Sequence, residues 1–176
     1  GLKADNIIVL TEKADPKAKP PRRESTKENI KKAFEEIGAQ CGPEDQFILW
    51  MVGHGQINEP IGKLCIPGQD ITAEEVNSML DRLPTGEIVF INGFSGGQTF
   101  LEVLPARGRV IITGAGTGDD GTQIYFPEFF LRGYETGEAD LNKNGRINLL
   151  EAYAYATRWV TNWYHRQYLV STKRKP

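Results

Sequence analysis

The sequence predicts a single three-layer α/β domain over residues 1–176, with a mostly parallel central sheet flanked by helices. Two observations predict it. Short apolar runs typical of buried strands alternate along the chain with segments whose apolar residues recur at helical spacing. The composition, 39% hydrophobic and 25% charged residues, is that of an ordinary globular protein. Strand and helix alternation of this kind is typical of parallel sheets joined by right-handed crossovers.

Four apolar runs are the predicted strands. They are residues 6–10, 47–52, 88–91 and 109–113. The run at 47–52 contains no polar alternation, which predicts a strand covered on both faces of the sheet. By contrast, residues 15–23 hold three prolines and several basic residues, and this composition predicts an exposed loop.

Five segments are predicted as helices. They are residues 25–38, 72–83, 100–104, 126–134 and 147–168. Ser25 and Thr72 are each followed three residues later by a glutamate, which is the capping-box signal of a helix start. The last helix is rich in tyrosine and tryptophan.

The charge balance does not indicate a nucleic-acid partner. The formal net charge is −2, so no broad positive field is expected to attract nucleic acid. No apolar run approaches the ~20 residues of a membrane-spanning helix, so no membrane span is expected.

Cys41 and Cys65 lack the spacing of a metal-binding pair. The sequence does not decide whether the two cysteines form a disulfide.

Two of the predicted strands each run into a glycine-containing turn. Gly53 and Gly55 bracket His54 after the first strand, and a glycine-rich turn at 93–97 follows the second. Chemistry collects at the carboxyl ends of parallel strands, so His54 and this turn are expected side by side. Histidine titrates near neutral pH, which makes His54 a candidate general base. The alternative is a histidine whose ring is satisfied by loop carbonyls.

In the caspase/legumain-like cysteine peptidases, a strand runs into Gly-His-Gly, a helix follows, and the next strand ends in x-x-Cys-x-Ser-Gly. This chain has the same order of elements and resembles a bacterial branch of that family. The resemblance covers nearly the whole chain. It implies that His54 is the base and that Gly93 stands where the family has its cysteine nucleophile. Amides of Gly55 and of the 93–95 turn would hold the oxyanion. The family fold begins with a further strand and helix, so the resemblance implies either an N-terminal portion outside this chain or a trimmed fold.

Gly93 has no side chain and cannot attack a carbonyl. One hypothesis is a natural pseudopeptidase that binds a peptide or protein ligand in the cleft near His54. The other is a cysteine endopeptidase whose nucleophile at position 93 has been replaced. The flanking residues Ile91 and Phe94, which the resemblance places near the pocket for the substrate side chain, are apolar and offer no charge to a charged substrate.

A serine hydrolase is a third hypothesis. Residues 93–97 read as G-x-S-x-G, in which Ser95 would be the nucleophile and His165 the only later histidine. Candidates for the acid are Asp119, Asp120 and Asp140. The alternative is a glycine-rich turn that allows close backbone approach. Residues 114–118 superficially resemble a dinucleotide loop, but two carboxylates follow them, which predicts a surface loop bordering the cleft.

Residues 140–151 match the calcium loop of an EF-hand in spacing and in residue type. The predicted ligands are Asp140, Asn142, Asn144, the carbonyl of Arg146 and the carboxylate of Glu151. Only two are carboxylates, so binding is expected to be weak, at ~10⁻⁴ M or weaker, and the apolar helix that follows suggests a structural ion. The alternative is a turn held by side-chain hydrogen bonds alone. A calcium-type loop favours an extracellular or periplasmic location.

Overall fold

The computed structural model of the chain describes residues 3–58, 61–114 and 124–173. It confirms the predicted mixture of strands and helices. The chain divides into two compact units, Gly1–Gln123 and Ile124–Pro176. Within the described ranges, no helix is both long enough and apolar enough to cross a bilayer.

The described residues of the first unit form seven strands and three α-helices, after a short 3-10 helix at Ala4–Asn6. In chain order they are β1 Val9–Thr11, β2 Arg22–Glu24, α1 Lys27–Gly38, β3 Gln46–Asn58, β4 Ile61–Cys65, β5 Ile71–Thr72, α2 Ala73–Leu80, β6 Glu87–Phe94, α3 Gln98–Val103 and β7 Arg109–Thr113. Five of these strands make the main sheet, in the order β5-β4-β3-β6-β7.

The main sheet is mixed, and the prediction of a mostly parallel sheet is wrong. Strands β3, β6 and β7 are parallel, whereas β4 runs antiparallel to both of its neighbours. The cause is the length of β3. It does not end at Gly53 but continues to Asn58, and the chain then folds back as β4. The predicted Gly-His-Gly turn is therefore part of a strand.

The first apolar run does not join the main sheet. Strand β1 pairs in parallel with β2, and the two form a separate small sheet. The prediction of an exposed loop over residues 15–23 is wrong at Arg22 and Arg23, because their backbone pairs with Val9 and Leu10. Both arginine side chains are nevertheless exposed, as the basic composition of residues 15–23 suggests.

One face of the main sheet packs against the helices of the first unit. The core contains Phe34 of α1, residues of α2 and Phe100 of α3, together with Phe90 and Phe94 of β6. The ring of Phe100 stacks on Phe90 at 5.9 Å and meets Phe94 edge-on at 4.9 Å between centroids. Apolar burial of this kind is the main stabilising term of the unit.

Helix starts follow the predicted capping chemistry with one change of residue. Thr72 accepts a hydrogen bond from the amide of Glu75 at 3.2 Å, and the Glu75 carboxylate accepts from the amide of Thr72 at 3.1 Å, which completes the capping box. At α1 the cap is Thr26 instead of Ser25, and it accepts from the amide of Asn29.

The opposite face of the sheet is only partly covered. On β3, Ile48 is 46% exposed and Val52 is 60% exposed, so the prediction that this strand is covered on both faces is wrong at these residues. Strand β6 is different, because every residue after Glu87 is buried. The predicted buried strand at 88–91 is confirmed.

The described part of the second unit, residues 124–173, contains two helices, α4 Phe126–Thr136 and α5 Leu149–Lys173. Their aromatic residues pack on one another: Phe129 stacks on Trp159 at 6.3 Å, and Tyr125 contacts Trp163 at 3.8 Å between centroids. Both predicted helices are confirmed, and α5 extends five residues beyond the predicted end at residue 168.

Candidate functional site

His54 lies close to position 93 at the carboxyl end of the main sheet. Strands β3 and β6 are neighbours, and their register pairs Val52 with Gly93 and Gly53 with Phe94. Side chains alternate between the two faces of a strand, so Val52 and His54 share the face on which a side chain at position 93 would stand. The His54 side chain is exposed. The expected juxtaposition of His54 with the 93–97 turn is therefore present in the fold.

The glycines around His54 permit close packing and do not form a turn. A Cβ added to Gly55 would collide with the carbonyl oxygen of Ser95 and would lie 2.9 Å from a ring carbon of Phe94. A Cβ on Gly53 would lie 3.1 Å from Leu64. Glycine is needed at position 55 because the backbone after β6 passes directly against β3.

Ser95 is buried and its hydroxyl group is fully engaged. The side chain is 2% exposed. Its Oγ accepts a hydrogen bond from the amide of Gly55 at 3.1 Å and donates to the carbonyl of Gly55 at 3.2 Å. A nucleophile must reach its substrate, so this geometry favours a structural role for Ser95.

The amide of Phe94 is also occupied from within the turn. It donates to the side-chain oxygen of Asn92 at 2.8 Å. Asn92 is completely buried, and its Nδ2 has no hydrogen-bond partner among the described residues. A Cβ on Gly97 would collide with that Nδ2, so Asn92 fills the space beneath the turn.

The residues that flank position 93 point into the protein interior. Ile91 is 4% exposed, and Phe94 is fully buried against Phe100. Neither side chain is placed to line an open pocket for a ligand. The exposed apolar residue nearest to position 93 is its cross-strand partner Val52.

A second potentially reactive side chain lies across the hairpin from His54. Strand β4 pairs Cys65 directly with His54. Cys41 and Cys65 are both free thiols, so no disulfide joins them. Burial, with a smaller contribution from the negative charge of Asp70, raises the pKa of the Cys65 thiol.

The calcium-type loop in the second unit is organised by its predicted ligands. Asp140 accepts hydrogen bonds from the amides of Asn144 at 3.1 Å and Gly145 at 2.8 Å. The side-chain oxygens of Asn142 and Asn144 accept from the amides of Asn144 and Arg146. Gly145 has a φ of 78°, which a residue with a side chain rarely adopts. These bonds draw the side-chain oxygens inward around the loop.

Glu151 closes the loop and also caps the helix that follows. Its carboxylate accepts from the amide of Asn142 at 3.2 Å and from the amide of Asn148 at 3.0 Å. The side chain of Asn148 accepts in return from the amide of Glu151, as in a capping box. Carboxylate and amide oxygens are ligands that calcium prefers, and each keeps a lone pair beyond the hydrogen bond it accepts.

The donor set of this loop is poor in charge. Nowhere in the described part of the chain do three or more His, Cys, Asp or Glu side chains gather in a group that could hold a metal. The loop itself supplies two carboxylates, Asp140 and Glu151, and amide or backbone oxygens for the rest. The residues present fit calcium in chemical type, and their low charge fits weak binding.

Comparison with known proteins identifies no relative: no family model, no curated protein and no solved structure matches the chain.

Several predicted residues fall outside the described part of the chain. They include Asp119, Asp120 and residues 115–118 of the glycine-rich loop. Of the remaining partners suggested for Ser95, Asp140 is engaged in the calcium-type loop and His165 is an exposed residue of α5.

Two residues of the site were not predicted from the sequence. Asn92 was detectable as a lone amide in an otherwise apolar strand, a position where a polar side chain usually has a specific partner. Cys65 gave no such signal, because its place opposite His54 depends on the register of a hairpin.

Proposed function

We propose that the chain is a caspase/legumain-like α/β domain without peptidase chemistry, which binds a peptide or protein segment on the face of β3 that carries His54. One observation carries the proposal: position 93 lies on the same face as His54, and it has no side chain. The imidazole of His54 is exposed on that face. At position 93, where the resembled family has its cysteine nucleophile, this chain has no nucleophile.

The hydrogen bonds around position 93 support the loss of catalysis. The amides of Gly55 and Phe94 are among the expected oxyanion donors, and both donate to internal side chains. Donors that are already engaged cannot stabilise a developing oxyanion without breaking those bonds. Gly93 and the occupied donors are two independent departures from a working peptidase.

The surface beside His54 supports binding. Val52 is 60% exposed and pairs with Gly93, which is itself buried, so the apolar contact surface beside His54 is the side chain of Val52. A peptide laid across this face would bury Val52 and could accept or donate a hydrogen bond at the imidazole. Burial of one aliphatic side chain contributes on the order of 1–2 kcal/mol.

A peptide library separates binding from cleavage. We expect the native chain to retain a subset of peptides and to cleave none, with mass spectrometry identifying both retained and cut peptides. The Val52→Thr variant should weaken retention about fivefold, which corresponds to about 1 kcal/mol of apolar contact. The matched control is Val110→Thr, because Val110 is 48% exposed at the other end of the same face. A native chain that retains no peptide would overturn the proposal.

The alternative of a replaced nucleophile has its own test. If the chain is an endopeptidase that lacks only its thiol, Gly93→Cys should cleave peptides, and the added change His54→Ala should abolish cleavage. The matched control is Gly93→Ser, which fills the same space without a thiol. On the present proposal, Gly93→Cys stays inactive because the Gly55 and Phe94 amides remain occupied.

We also propose a weak, structural calcium ion in the loop at 140–151. The observation that favours it is the inward arrangement of the Asp140, Asn142 and Glu151 oxygens. Glu151 is 7% exposed and lies in the first turn of α5, whose aromatic residues pack on α4, so an ion there would fix that helix start. The corresponding test is a calcium titration of thermal stability.

A further inference from the structure

Cys65 and His54 are cross-strand neighbours. The two residues are directly opposite in the β3–β4 ladder. Both main-chain groups of Gly55 are directed to Ser95, away from β4, so those of the preceding residue His54 face β4 and the pair is a hydrogen-bonded rung. Paired side chains stand on one face with Cβ atoms about 4.5–5.5 Å apart, so rotation about the side-chain bonds can bring the thiol to the imidazole.

The surroundings of the thiol favour its protonated form. Cys65 is half-buried, and burial together with Asp70 holds its pKa above the usual value. The thiolate is the reactive species, so a neighbouring group that takes the proton would speed the reaction of this thiol. His54 is the histidine placed to do so, since an imidazole accepts protons near neutral pH.

We propose that Cys65 is a modification site that forms mixed disulfides with low-molecular-weight disulfides, with His54 as the proton acceptor. The proton of the Cys65 thiol passes to the imidazole, and the sulfur attacks one sulfur of the incoming disulfide. A new S–S bond forms as the old one breaks. Cys65 is oxidised, the departing half is reduced to a thiolate, and that thiolate takes the proton from the imidazolium.

Cys41 is an internal control for this reaction. It is also a half-buried free thiol, and burial with a nearby aspartate, Asp45, raises its pKa as well. Cys41 lies between α1 and β3, outside any strand, so it has no cross-strand histidine, whereas Cys65 pairs with His54. The two thiols thus share their burial and the charge of their neighbour, and they differ in the opposing imidazole.

The rate of modification at each cysteine tests the inference. The folded full chain is incubated with oxidised glutathione, and the adduct at each cysteine is followed by peptide mass spectrometry. We expect Cys65 to react at least about tenfold faster than Cys41. This acceleration is smaller than general base catalysis commonly provides. In His54→Gln, the rate at Cys65 should fall to near that of Cys41.

Cys41 also reports whether the variant is folded. If His54→Gln loosened the structure, both half-buried thiols would become more accessible and both rates would rise. A fall confined to Cys65 therefore supports the proposal. Equal rates at the two cysteines in the native chain, or a Cys65 rate unchanged by His54→Gln, would overturn it. Peptide binding is not required for either result, so this test is independent of the proposed function.

Discussion

The hydroxyl of Ser95 bridges both main-chain groups of Gly55, at 3.1 Å from the nitrogen and 3.2 Å from the oxygen. The regular pairing of β3 with β6 ends at Gly53 and Phe94. The side chain of Ser95 therefore supplies the next pair of hydrogen bonds that a continuing strand would have made. Through this bridge Ser95 holds the strand that carries His54 against the turn that follows β6.

Removing this hydroxyl should destabilise the protein. Ser95→Ala leaves the buried amide and carbonyl of Gly55 without partners, which costs about 1–3 kcal/mol. Urea unfolding followed by circular dichroism measures the change. The control is Ser78→Ala, because Ser78 is exposed on α2 and alanine favours a helix. Equal stability of the Ser95 and Ser78 variants would contradict the structural role of Ser95.

Gly55→Ala should strongly destabilise the protein. The new methyl group would collide with the carbonyl oxygen of Ser95, and a backbone atom cannot move aside as a flexible side chain can. We expect a loss of about 3 kcal/mol, the upper part of the range for overpacking. The control is Gly86→Ala, where the nearest atom to the added carbon is 4.0 Å away. A Gly55 variant as stable as the Gly86 variant would show that the two strands are not in this close contact.

The sequence was sufficient for features that depend on local signals. The apolar run at 88–91 predicts a buried strand, and every residue of β6 after Glu87 is buried. Thr72 and Glu75 predict a capping box, and both of its hydrogen bonds form. In each case the residues that decide the structure are neighbours in the chain, so their spacing alone carries the information.

The sequence was misleading where distant residues decide the structure. Gly53 and Gly55 have the appearance of turn residues, yet they lie within β3 because Ser95 and Leu64 pack against them. The β3–β4 hairpin, and with it the mixed sheet, follows from that packing. The pairing of His54 with Cys65 is likewise a matter of hairpin register, which side-chain periodicity does not fix in a glycine-rich strand.

The ion pair between α1 and α2 should make stability depend on acid pH. Burial alone would raise the pKa of Glu75, but its hydrogen bonds with Lys27 and with the amide of Thr72 bring the net pKa below the usual value. A carboxylate with a lowered pKa in the folded state stabilises the protein above its unfolded pKa. That contribution is lost as the pH falls through the folded value, below about 4.5.

Glu75→Gln tests this dependence. The native chain should be more stable than the variant by about 1 kcal/mol or less at pH 7, since the pair is partly exposed to solvent. The difference should shrink as the pH falls below about 4.5. Glu74→Gln is the control, because Glu74 is an exposed residue of the same helix turn. A stability difference that persists unchanged to pH 3 would contradict the assignment.

Calcium should raise the melting temperature of the native chain, and Glu151 should be needed for the increase. With two carboxylates in the loop, we expect the effect to appear only at concentrations of about 10⁻⁴ M or above. Glu151→Gln also weakens the cap of α5, so the informative quantity is the shift caused by calcium within each variant, not the starting temperature. That shift should be much smaller in Glu151→Gln and unchanged in Glu135→Gln, a control at an exposed glutamate of α4. Magnesium at the same concentration corrects for ionic strength. If millimolar calcium gives neither a shift nor heat of binding, the loop holds its shape through its side-chain hydrogen bonds alone.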